Sequence, residues 1–440
     1  MATVLAQGQD SSWKSWLETS LESAFPFDGA RHGSGSVHDP SILHFKGRYV
    51  MVHTSGHELA PISVSKDLVT WEAHGSILPD QPVWLKQAIP DHRSVWAPQP
   101  VAVGDTLRVY YCASAKFGSN TSWIAYAECA KFDPSRPAKG WVDRGPLIAS
   151  KAGESNFNAI DPDVLIGPDG RHWMVYGSYW SGMYQVELDP KTGGLKNPKT
   201  APRHVASNDE RNNPLEAPVM FFHDGWYYLG VTYGLAAQGI RSTYRMVVGR
   251  SRNPEGPFLG YDGKPMTEGG HTVLLRGSSP MFGPGGGNYF TDAKGDLMMA
   301  FHYYDSRRHW VGDKWGLPTL QVRRVMWGSD GWPLPGLPAG VALKKSDGRI
   351  EGDWQIQADF GGVEEIHLKK GGLLVQGARE GKWQAAGQEL LLSWPSPDAP
   401  NGAWVDKLVL DETRQYAVGR NQGGVVVRAI KRNVQASRSL

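Results

Sequence analysis

The stretch IDPDVLIGPDGRHWMVYGSYW, residues 160–180, joins a carboxylate before a proline to a short apolar strand, an Asp-Gly turn and an aromatic-rich second strand. The same arrangement recurs as HDPSILHFKGRYVMVHTS from His38, WAPQPVAVGDTLRVYYCAS from Trp96, EAPVMFFHDGWYYLGVTYG from Glu216 and NYFTDAKGDLMMAFHYYD from Asn288. The starts are roughly 55 to 70 residues apart, which suits one four-stranded blade plus its loops. The sequence therefore predicts an all-β fold, a five-bladed β-propeller.

Each repeat contains a turn between two alternating apolar runs. The turns are Lys46-Gly47, Gly104-Asp105, Asp169-Gly170, Asp224-Gly225 and Lys294-Gly295. Glycine and aspartate at such turns favour tight hairpins, because these turns require positive φ. Each repeat is therefore predicted to begin with a β-hairpin.

Three of the five repeats open with a carboxylate, at Asp39, Asp161 and Glu216. If the first strand of each blade lines the central channel, these residues occupy equivalent positions and converge at one end of the axis. Like charges in a partly desolvated pocket raise at least one pKa, so one acid stays protonated near neutral pH. A protonated carboxyl facing an ionised one is what glycoside hydrolysis requires. Asp-Pro and Glu-Ala-Pro also start strands for purely structural reasons.

The segments VHDPSI, VWAPQ, NAIDPDVL followed by YGSYWSGMY, and LEAPVMF resemble glycoside hydrolase family 43, and within it the endo-α-1,5-L-arabinanases, over nearly the whole chain. The resemblance implies that Asp39 is the general base, Glu216 the general acid, and Asp161 an ionised residue that tunes the pKa of the acid. It also implies an arabinan or arabino-oligosaccharide substrate and inversion of the anomeric carbon. Two alternatives stay open: an exo-acting α-L-arabinofuranosidase or β-xylosidase with the same acids, and a non-catalytic sugar-binding propeller.

Four residues near the carboxylates are candidates for sugar binding. Trp96 and Trp180 offer aromatic faces on which a sugar ring can stack. Asn158 and Ser178 lie in the NAID and YGSYW motifs and offer hydrogen bonds to hydroxyl groups. The alternative for this polar pair is that Asn158 caps a turn and Ser178 satisfies the end of a strand.

The resemblance also implies a metal ion on the propeller axis, held mainly by water and one histidine. Many relatives carry that histidine in a GPGH motif, where this chain reads GPGGG at residues 283–287. His302, in AFHYYD, is the remaining candidate ligand, and calcium is the expected ion because water and other oxygen ligands suit a hard cation. The alternative is that His302 is a hydrogen-bonded core residue.

Composition excludes several classes of partner. The 440 residues carry a net charge of +2, and the densest basic cluster, Arg307, Arg308 and His309, is too short for a nucleic-acid surface. No apolar stretch is long enough to cross a bilayer, so a membrane partner is not expected either. The protein is predicted to be a monomer. The resemblance implies an extracellular location, although MATVLAQGQD lacks the charged and apolar regions of an intact signal peptide.

Three regions are predicted along the chain. Residues 1–30 form an N-terminal segment with a short helix near Trp13 to Leu21, residues 31–338 form the propeller, and residues 339–440 form a small β-barrel or sandwich. That last region either supports the propeller or binds carbohydrate. Cys112 and Cys129 lie in one blade and form either a disulfide or a reduced pair.

Overall fold

The computed structural model describes Leu21 and residues 36–90, 94–344, 346–432 and 436–438. The described part of the chain is built almost entirely from β-strands, as alternating apolar and polar residues between glycine-containing turns predict. A single α-helix of these residues, α1 (Val83–Ala88), links the first two blades. Short 3₁₀ helices occupy Gly239–Arg241, Met266–Glu268 and Pro400–Gly402.

Twenty strands form five antiparallel sheets of four, each in chain order. Blade 1 contains β1 (His38–Phe45), β2 (Arg48–Thr54), β3 (Pro61–Ser65) and β4 (Trp71–Ser76). Blade 2 contains β5 (Trp96–Val103), β6 (Thr106–Ser114), β7 (Ser122–Cys129) and β8 (Val142–Ser150). Blade 3 contains β9 (Asp163–Ile166), β10 (His172–Tyr176), β11 (Met183–Leu188) and β12 (Arg203–Ala206). Blade 4 contains β13 (Leu215–His223), β14 (Trp226–Tyr233), β15 (Arg245–Ser251) and β16 (Thr272–Arg276). Blade 5 contains β17 (Met281–Thr291), β18 (Leu297–Val311), β19 (Lys314–Trp327) and β20 (Pro333–Pro338).

The first strands of the blades surround a common axis. Strand β1 contacts β5 on one side and β17 on the other, and β13 contacts both β9 and β17. These contacts close the ring between the first and last blades. The predicted five-bladed propeller is confirmed.

Every blade has a residue in the left-handed region of backbone space within its first strand or just before it. The φ angles are 45° at Asp39, 41° at Ala97, 57° at Asp161, 49° at Ala217 and 52° at Gly286. The first four of these residues precede a proline. Such a conformation is uncommon outside glycine, so its repetition at five positions identifies the true register of the repeat.

This register corrects one sequence expectation. Asp39 and Asp161 are equivalent, but Glu216 lies one residue earlier in its blade, because the left-handed position of blade 4 is Ala217. The fifth blade likewise begins at Met281, before Asn288, and its equivalent residue is Gly286. A repeat read from the first charged residue of each blade therefore misplaces Glu216 by one position.

The C-terminal strands close into a barrel, which settles the choice between a barrel and a sandwich. The barrel strands are β22 (Gly352–Ala358), β23 (Val363–Lys369), β24 (Leu373–Gln376), β25 (Arg379–Ala386), β26 (Glu389–Pro395), β27 (Ala403–Leu410), β28 (Tyr416–Asn421) and β29 (Val426–Lys431). A separate pair joins β21 (Val341–Leu343) to β30 (Ala436–Arg438). Strand β28 meets the propeller, where Tyr416 donates a hydrogen bond to Pro335 O (2.9 Å) and Arg420 to Val273 O (2.8 Å).

Three further expectations concern the rest of the chain. The predicted N-terminal helix lies outside the described residues except for Leu21, which is buried. Cys112 and Cys129 are both buried free thiols rather than a disulfide, because Cys112 pairs with Ile124 and Cys129 with Leu107 across β6 and β7. In the described ranges, no helix combines the length and the apolar character that a bilayer crossing requires.

A buried amide contributes to ring closure between blades 1 and 5, and this generates a stability prediction. Asn288 in β17 accepts a hydrogen bond from Ile42 N (2.9 Å) and donates one to Ile42 O (2.8 Å) in β1. Asn288→Ala leaves both backbone groups of Ile42 unpaired, so we expect a loss of about 2 to 4 kcal/mol in the free energy of unfolding, measured by urea denaturation. The exposed Gln384→Ala is the matched control and should change the unfolding free energy by less than about 0.5 kcal/mol. Equal stability of the two variants would contradict this account of closure.

Candidate active site

A cleft of about 660 Å³ opens at one end of the propeller axis. Its lining includes the seven residues predicted to bind or act on substrate: Asp39, Trp96, Asn158, Asp161, Ser178, Trp180 and Glu216. The eighth predicted residue, His302, is fully buried beside Asp39 and does not line the cleft. The blade starts thus bring residues that are far apart in sequence into one depression.

Asp39 is held by groups from three strands. Thr54 at the end of β2 donates a hydrogen bond from Oγ1 to Asp39 Oδ2 (2.8 Å), and His38 Nδ1 lies 2.9 Å from the same oxygen. Burial opposes ionisation of Asp39, but the charge and hydrogen bond of His38, with His302 and Thr54, lower its pKa to about 2. Asp39 is therefore a carboxylate at any ordinary working pH.

His38 is the hydrogen-bonding partner of Asp39 in this arrangement. Burial lowers the pKa of the imidazole, yet the charge and hydrogen bond of Asp39 and the charge of Glu216 outweigh burial, so its pKa is raised. Its Nε2 lies 3.0 Å from the hydroxyl of Tyr304, which accepts a hydrogen bond from Ala237 N (2.8 Å). The His38 ring also stacks on His302 at 3.7 Å between centroids. These contacts fix the orientation of His38 against Asp39.

Glu216 binds a proton much more tightly than Asp39 does. Burial raises its pKa to about 7; the charge of Asp39 adds to the rise, whereas the hydrogen bond from Ser178 opposes it. Ser178 Oγ donates to Glu216 Oε2 (2.7 Å), and the Tyr244 hydroxyl donates to Glu216 Oε1. A carboxyl with this pKa is partly protonated at neutral pH and is suited to donate a proton.

Asp161 is the third carboxyl of the cleft. Its Oδ2 accepts a hydrogen bond from Ala217 N (3.2 Å), the residue after Glu216. Burial, together with the charges of Glu216 and Asp39, holds the pKa of Asp161 well above its usual range. This direction is at odds with the expectation that Asp161 stays ionised while Glu216 alone holds a proton. Asp161 and Glu216 instead repel each other and form a pair that retains a proton near neutral pH.

His302 is the candidate metal ligand. Its Nδ1 accepts a hydrogen bond from Asp39 N (3.2 Å), so in the neutral ring the buried Nε2 carries the proton, and this N–H has no acceptor in the described part of the chain. Burial and the charge of His38 lower the pKa of His302 to about 3, so the ring is neutral, as a ligand must be. Gly286 stands at the position of the histidine in the GPGH motif. A Cβ there would lie 2.5 Å from Asp39 Oδ1 and 2.9 Å from His302 Cε1, so a histidine does not fit this arrangement.

The predicted sugar-binding residues differ in what they offer. Asn158 is buried, and its Oδ1 has no hydrogen-bond partner among the described residues. Ser178 donates its hydroxyl proton to Glu216, so it positions the acid. Trp180 exposes 38% of its surface, and Trp96 is half-buried; both line the cleft.

Several lining residues were not identified from the sequence. Thr54 and Tyr244 hydrogen-bond to Asp39 and Glu216, and Phe117 and Leu235 are exposed on the rim at 76% and 48%. Thr54 lies at the end of a second strand, and the other three lie outside the quoted strands or in connecting loops, so the repeat pattern gives no signal for them. For Phe117 the sequence does hold a signal, because it is a large apolar residue within the otherwise polar loop KFGSN, residues 116–120.

An ionised carboxylate and a protonated one in the same cleft are the equipment of a glycoside hydrolase, and the protein is an enzyme of this class. Residues 33–333 match the model of the family described as glycosyl hydrolases family 43. The match covers well over half of the 440 residues, so the chain belongs to this family.

The similar proteins include both endo- and exo-acting enzymes. The chain is 31% identical over 332 residues to the extracellular endo-α-(1→5)-L-arabinanase 1 of Bacillus subtilis, covering 72% of this chain and 97% of that protein. It is 30% identical over 300 residues to an extracellular exo-α-(1→5)-L-arabinofuranosidase of Cellvibrio japonicus, covering 63% and 85%. The structure of a family 43 endo-arabinanase from Bacillus licheniformis aligns with a TM-score of 0.62 at 33% identity, over 70% of this chain and 99% of that one.

The contact between Ser178 and Glu216 generates a pH prediction. The hydrogen bond stabilises the carboxylate, so Ser178→Ala should raise the pKa of Glu216 above about 7. If activity requires protonated Glu216, activity falls as pH rises through this pKa, and the alkaline limb of the pH–rate profile moves upward in the variant. The measurement is kcat/KM from pH 5 to 10 for both proteins. An alkaline limb that stays in place or moves downward would show that Ser178 does not tune this group.

Proposed function

We propose that the protein is an inverting endo-arabinanase that cleaves α-1,5-L-arabinofuranosidic linkages in arabinan. The observation that carries the proposal is the division of proton affinity in one cleft, with a pKa of about 2 at Asp39 and about 7 at Glu216. Such a division assigns the base and the acid of glycoside hydrolysis. The choice of arabinan is supported by arabinanase relatives at about 30% identity.

In the proposed reaction, Glu216 donates a proton to the oxygen that leaves the anomeric carbon. Asp39 accepts a proton from the water that attacks the opposite face of the arabinofuranose ring. His38 and Thr54 hold the Asp39 carboxylate by contacts of 2.9 and 2.8 Å, so it keeps one orientation as the water approaches. Ser178 and Tyr244 hold the two oxygens of Glu216 in the same way.

Asp161 acts through Glu216 in this scheme. Negative charge on either carboxyl raises the pKa of the other, and the hydrogen bond from Ala217 N holds Asp161 next to the residue that follows the acid. Proton release from Glu216 leaves a negative charge next to Asp161, so release is disfavoured while Asp161 is ionised, unless the sugar ring develops compensating positive charge. The pair thus retains the proton until charge develops on the substrate.

Substrate binding is assigned to the polar and aromatic groups of the cleft wall. Asn158 Oδ1 is a buried acceptor aimed at a group that the described residues do not supply, and a sugar hydroxyl suits it. Trp96, Phe117 and Trp180 provide aromatic surface for the furanose rings.

Endo action is proposed because the endo-arabinanase of Bacillus subtilis aligns over 72% of this chain, against 63% for the exo-acting enzyme of Cellvibrio japonicus. The exo-acting arabinofuranosidase relative keeps the exo alternative open, and a β-xylosidase is a further alternative. A non-catalytic binding propeller is disfavoured, since a binder has no use for separated pKa values. We also propose an extracellular location, which the printed names of the Bacillus and Cellvibrio relatives support.

Removal of either proposed proton carrier tests the mechanism. Glu216→Gln and Asp39→Asn delete a donor or an acceptor with little change in volume, so each should lower kcat on linear arabinan by about 10²- to 10⁴-fold. Circular dichroism should show both variants folded. The exposed Glu380→Gln is the matched control and should keep wild-type kcat. Near-normal turnover in either cleft variant would refute the assignment.

A product time course on linear α-1,5-arabinan tests the proposed substrate and the endo action. We expect mixed oligosaccharides at early times together with a rapid fall in viscosity, because an open cleft cuts internal bonds. A single small product with a slow fall in viscosity would show that the enzyme acts from the chain end and is therefore exo-acting. If the enzyme did not hydrolyse arabinan but released sugar from xylo-oligosaccharides, the proposed substrate would be wrong and the β-xylosidase alternative would be supported.

Calcium is proposed as the axial ion, with His302 as the protein ligand and water as the other donors. Nε2 would bind the ion only after the ring proton moves to Nδ1, which gives up the hydrogen bond from Asp39 N. A bound ion supplies positive charge and ordered water near Asp39. At a concentration 100 times its dissociation constant, calcium would add about 2.7 kcal/mol of stability, so EDTA should lower Tm and added Ca²⁺ should restore it. In His302→Asn, calcium should leave Tm unchanged. A wild-type Tm that does not respond to EDTA or Ca²⁺ would contradict the proposal.

A further inference from the structure

Blade 5 carries a two-stranded extension, residues 306–317, which the other blades lack in the described part of the chain. Strands β18 and β19 contain 15 and 14 residues, against 11 or fewer in every other propeller strand. Strand β17 pairs with β18 only as far as Asp305, so beyond that residue β18 and β19 pair only with each other. The cross-strand pairs of the hairpin extension include His309 with Trp315 and Val311 with Lys314.

The hairpin extension packs against the loop that forms one wall of the cleft. A Cβ at Gly239 would lie 2.0 Å from Trp315 O, and a Cβ at Gly316 would lie 2.7 Å from Ile240 N, so the two backbones touch. Lys314 Nζ donates a hydrogen bond to Ala237 O (3.4 Å). Ala237 lines the cleft, as do its neighbours 235, 236 and 238. The hairpin extension is therefore continuous with the wall of the cleft.

Exposed apolar side chains are concentrated here. Ten large hydrophobic side chains are exposed among the described residues. Three of them line the cleft and three lie on the hairpin extension or the 3₁₀ helix against it: Phe117, Trp180 and Leu235, then Ile240, Val311 and Trp315. Val311 exposes 56% and Trp315 50% of its surface, which water disfavours unless a partner covers them.

From this continuity we propose that the hairpin extension is an accessory binding surface for the part of an arabinan chain that lies outside the cleft, with Trp315 stacking on a furanose ring. The inference rests on the proposed arabinanase function. Trp315 is the stacking residue because it is half exposed and its one ring contact among the described residues is a perpendicular one with His309 (5.7 Å between centroids). Trp310, by contrast, has Lys314 Nζ over its ring (5.6 Å) and also contacts Tyr304.

The charges of the hairpin extension agree with a neutral polysaccharide. Arg307 donates two hydrogen bonds to Asp305 (2.9 and 2.8 Å), and Lys314 is bound to Ala237 O. Arg308 is exposed and is available to donate hydrogen bonds to sugar hydroxyls. In this proposal, aromatic stacking supplies most of the affinity for the sugar chain, and the cationic groups donate hydrogen bonds to its hydroxyl groups. They do not form a continuous anion-binding surface.

The test uses Glu216→Gln as a folded parent that does not consume the polymer. Affinity electrophoresis of this parent in linear arabinan is compared with Glu216→Gln carrying Trp315→Ala, Trp315→Phe or Trp404→Ala. We expect Trp315→Ala to weaken retardation by about 3- to 10-fold and Trp315→Phe to retain most of it, because a phenyl ring still stacks. Trp404, exposed by 37% on the barrel, is the matched control and should have no effect. In the Glu216-containing enzyme, Trp315→Ala should lower kcat/KM on polymeric arabinan relative to arabinotriose.

Each contrary outcome has a distinct meaning. Retardation of Trp315→Ala equal to that of its parent overturns the inference and leaves the proposed function intact. An equal loss in Trp404→Ala also overturns it, because any exposed indole would then suffice. Stronger retardation by polygalacturonate than by arabinan overturns the choice of ligand, since the basic residues would then dominate. No retardation of the parent by arabinan overturns both the inference and the arabinan assignment.

Discussion

Five backbone N–H groups connect the blades around the axis, and the rest of the active site depends on them. Each belongs to the left-handed residue at the start of a blade and donates to a side chain of the preceding blade. Asp39 N donates to His302, Ala97 N to Thr54, Asp161 N to Cys112, Ala217 N to Asp161 and Gly286 N to Thr232, over 2.8 to 3.4 Å. A positive φ turns each of these N–H groups sideways, out of the ladder of its own strand. The hydrogen bonds that join the blades therefore also set the directions of the neighbouring side chains.

Blade 4 departs from this pattern, and the departure lies next to the proposed acid. In the other four contacts the acceptor lies on a second strand, and the strand register places Gly177, which has no side chain, at the corresponding position of blade 3. Ala217 N donates instead to the Asp161 carboxylate, and the neighbouring Ser178 donates its hydroxyl proton to Glu216. This hydrogen bond holds Asp161 next to the residue that follows Glu216, where burial and the charge of Glu216 raise the pKa of Asp161.

The propeller and its carboxylates were predictable because they follow local rules. Hairpin turns such as Asp224-Gly225 and residues before proline such as Asp39 are visible in sequence. The offset of Glu216 was missed because charge, rather than the backbone position marked by Ala217-Pro218, was used to align the repeats. Thr54, Tyr244 and the acceptor role of His302 Nδ1 arise from contacts between blades, over sequence separations that no local pattern encodes. The hairpin extension was visible only as a short basic cluster, Arg307 to His309, whose position beside the cleft is set by the ring.

The left-handed positions separate architecture from chemistry. Asp39 and Asp161 alternate with Ala97 and Ala217 at equivalent places, and all four backbones adopt nearly the same φ. At blade 1 the contact with the preceding blade uses only the backbone N–H of Asp39, so a carboxylate can be gained or lost there without rebuilding a blade, whereas the Asp161 carboxylate itself accepts the hydrogen bond from Ala217 N. Such a scaffold permits divergence: a descendant that exchanges Asp39 for alanine retains its fold while it changes the reaction performed on the axis.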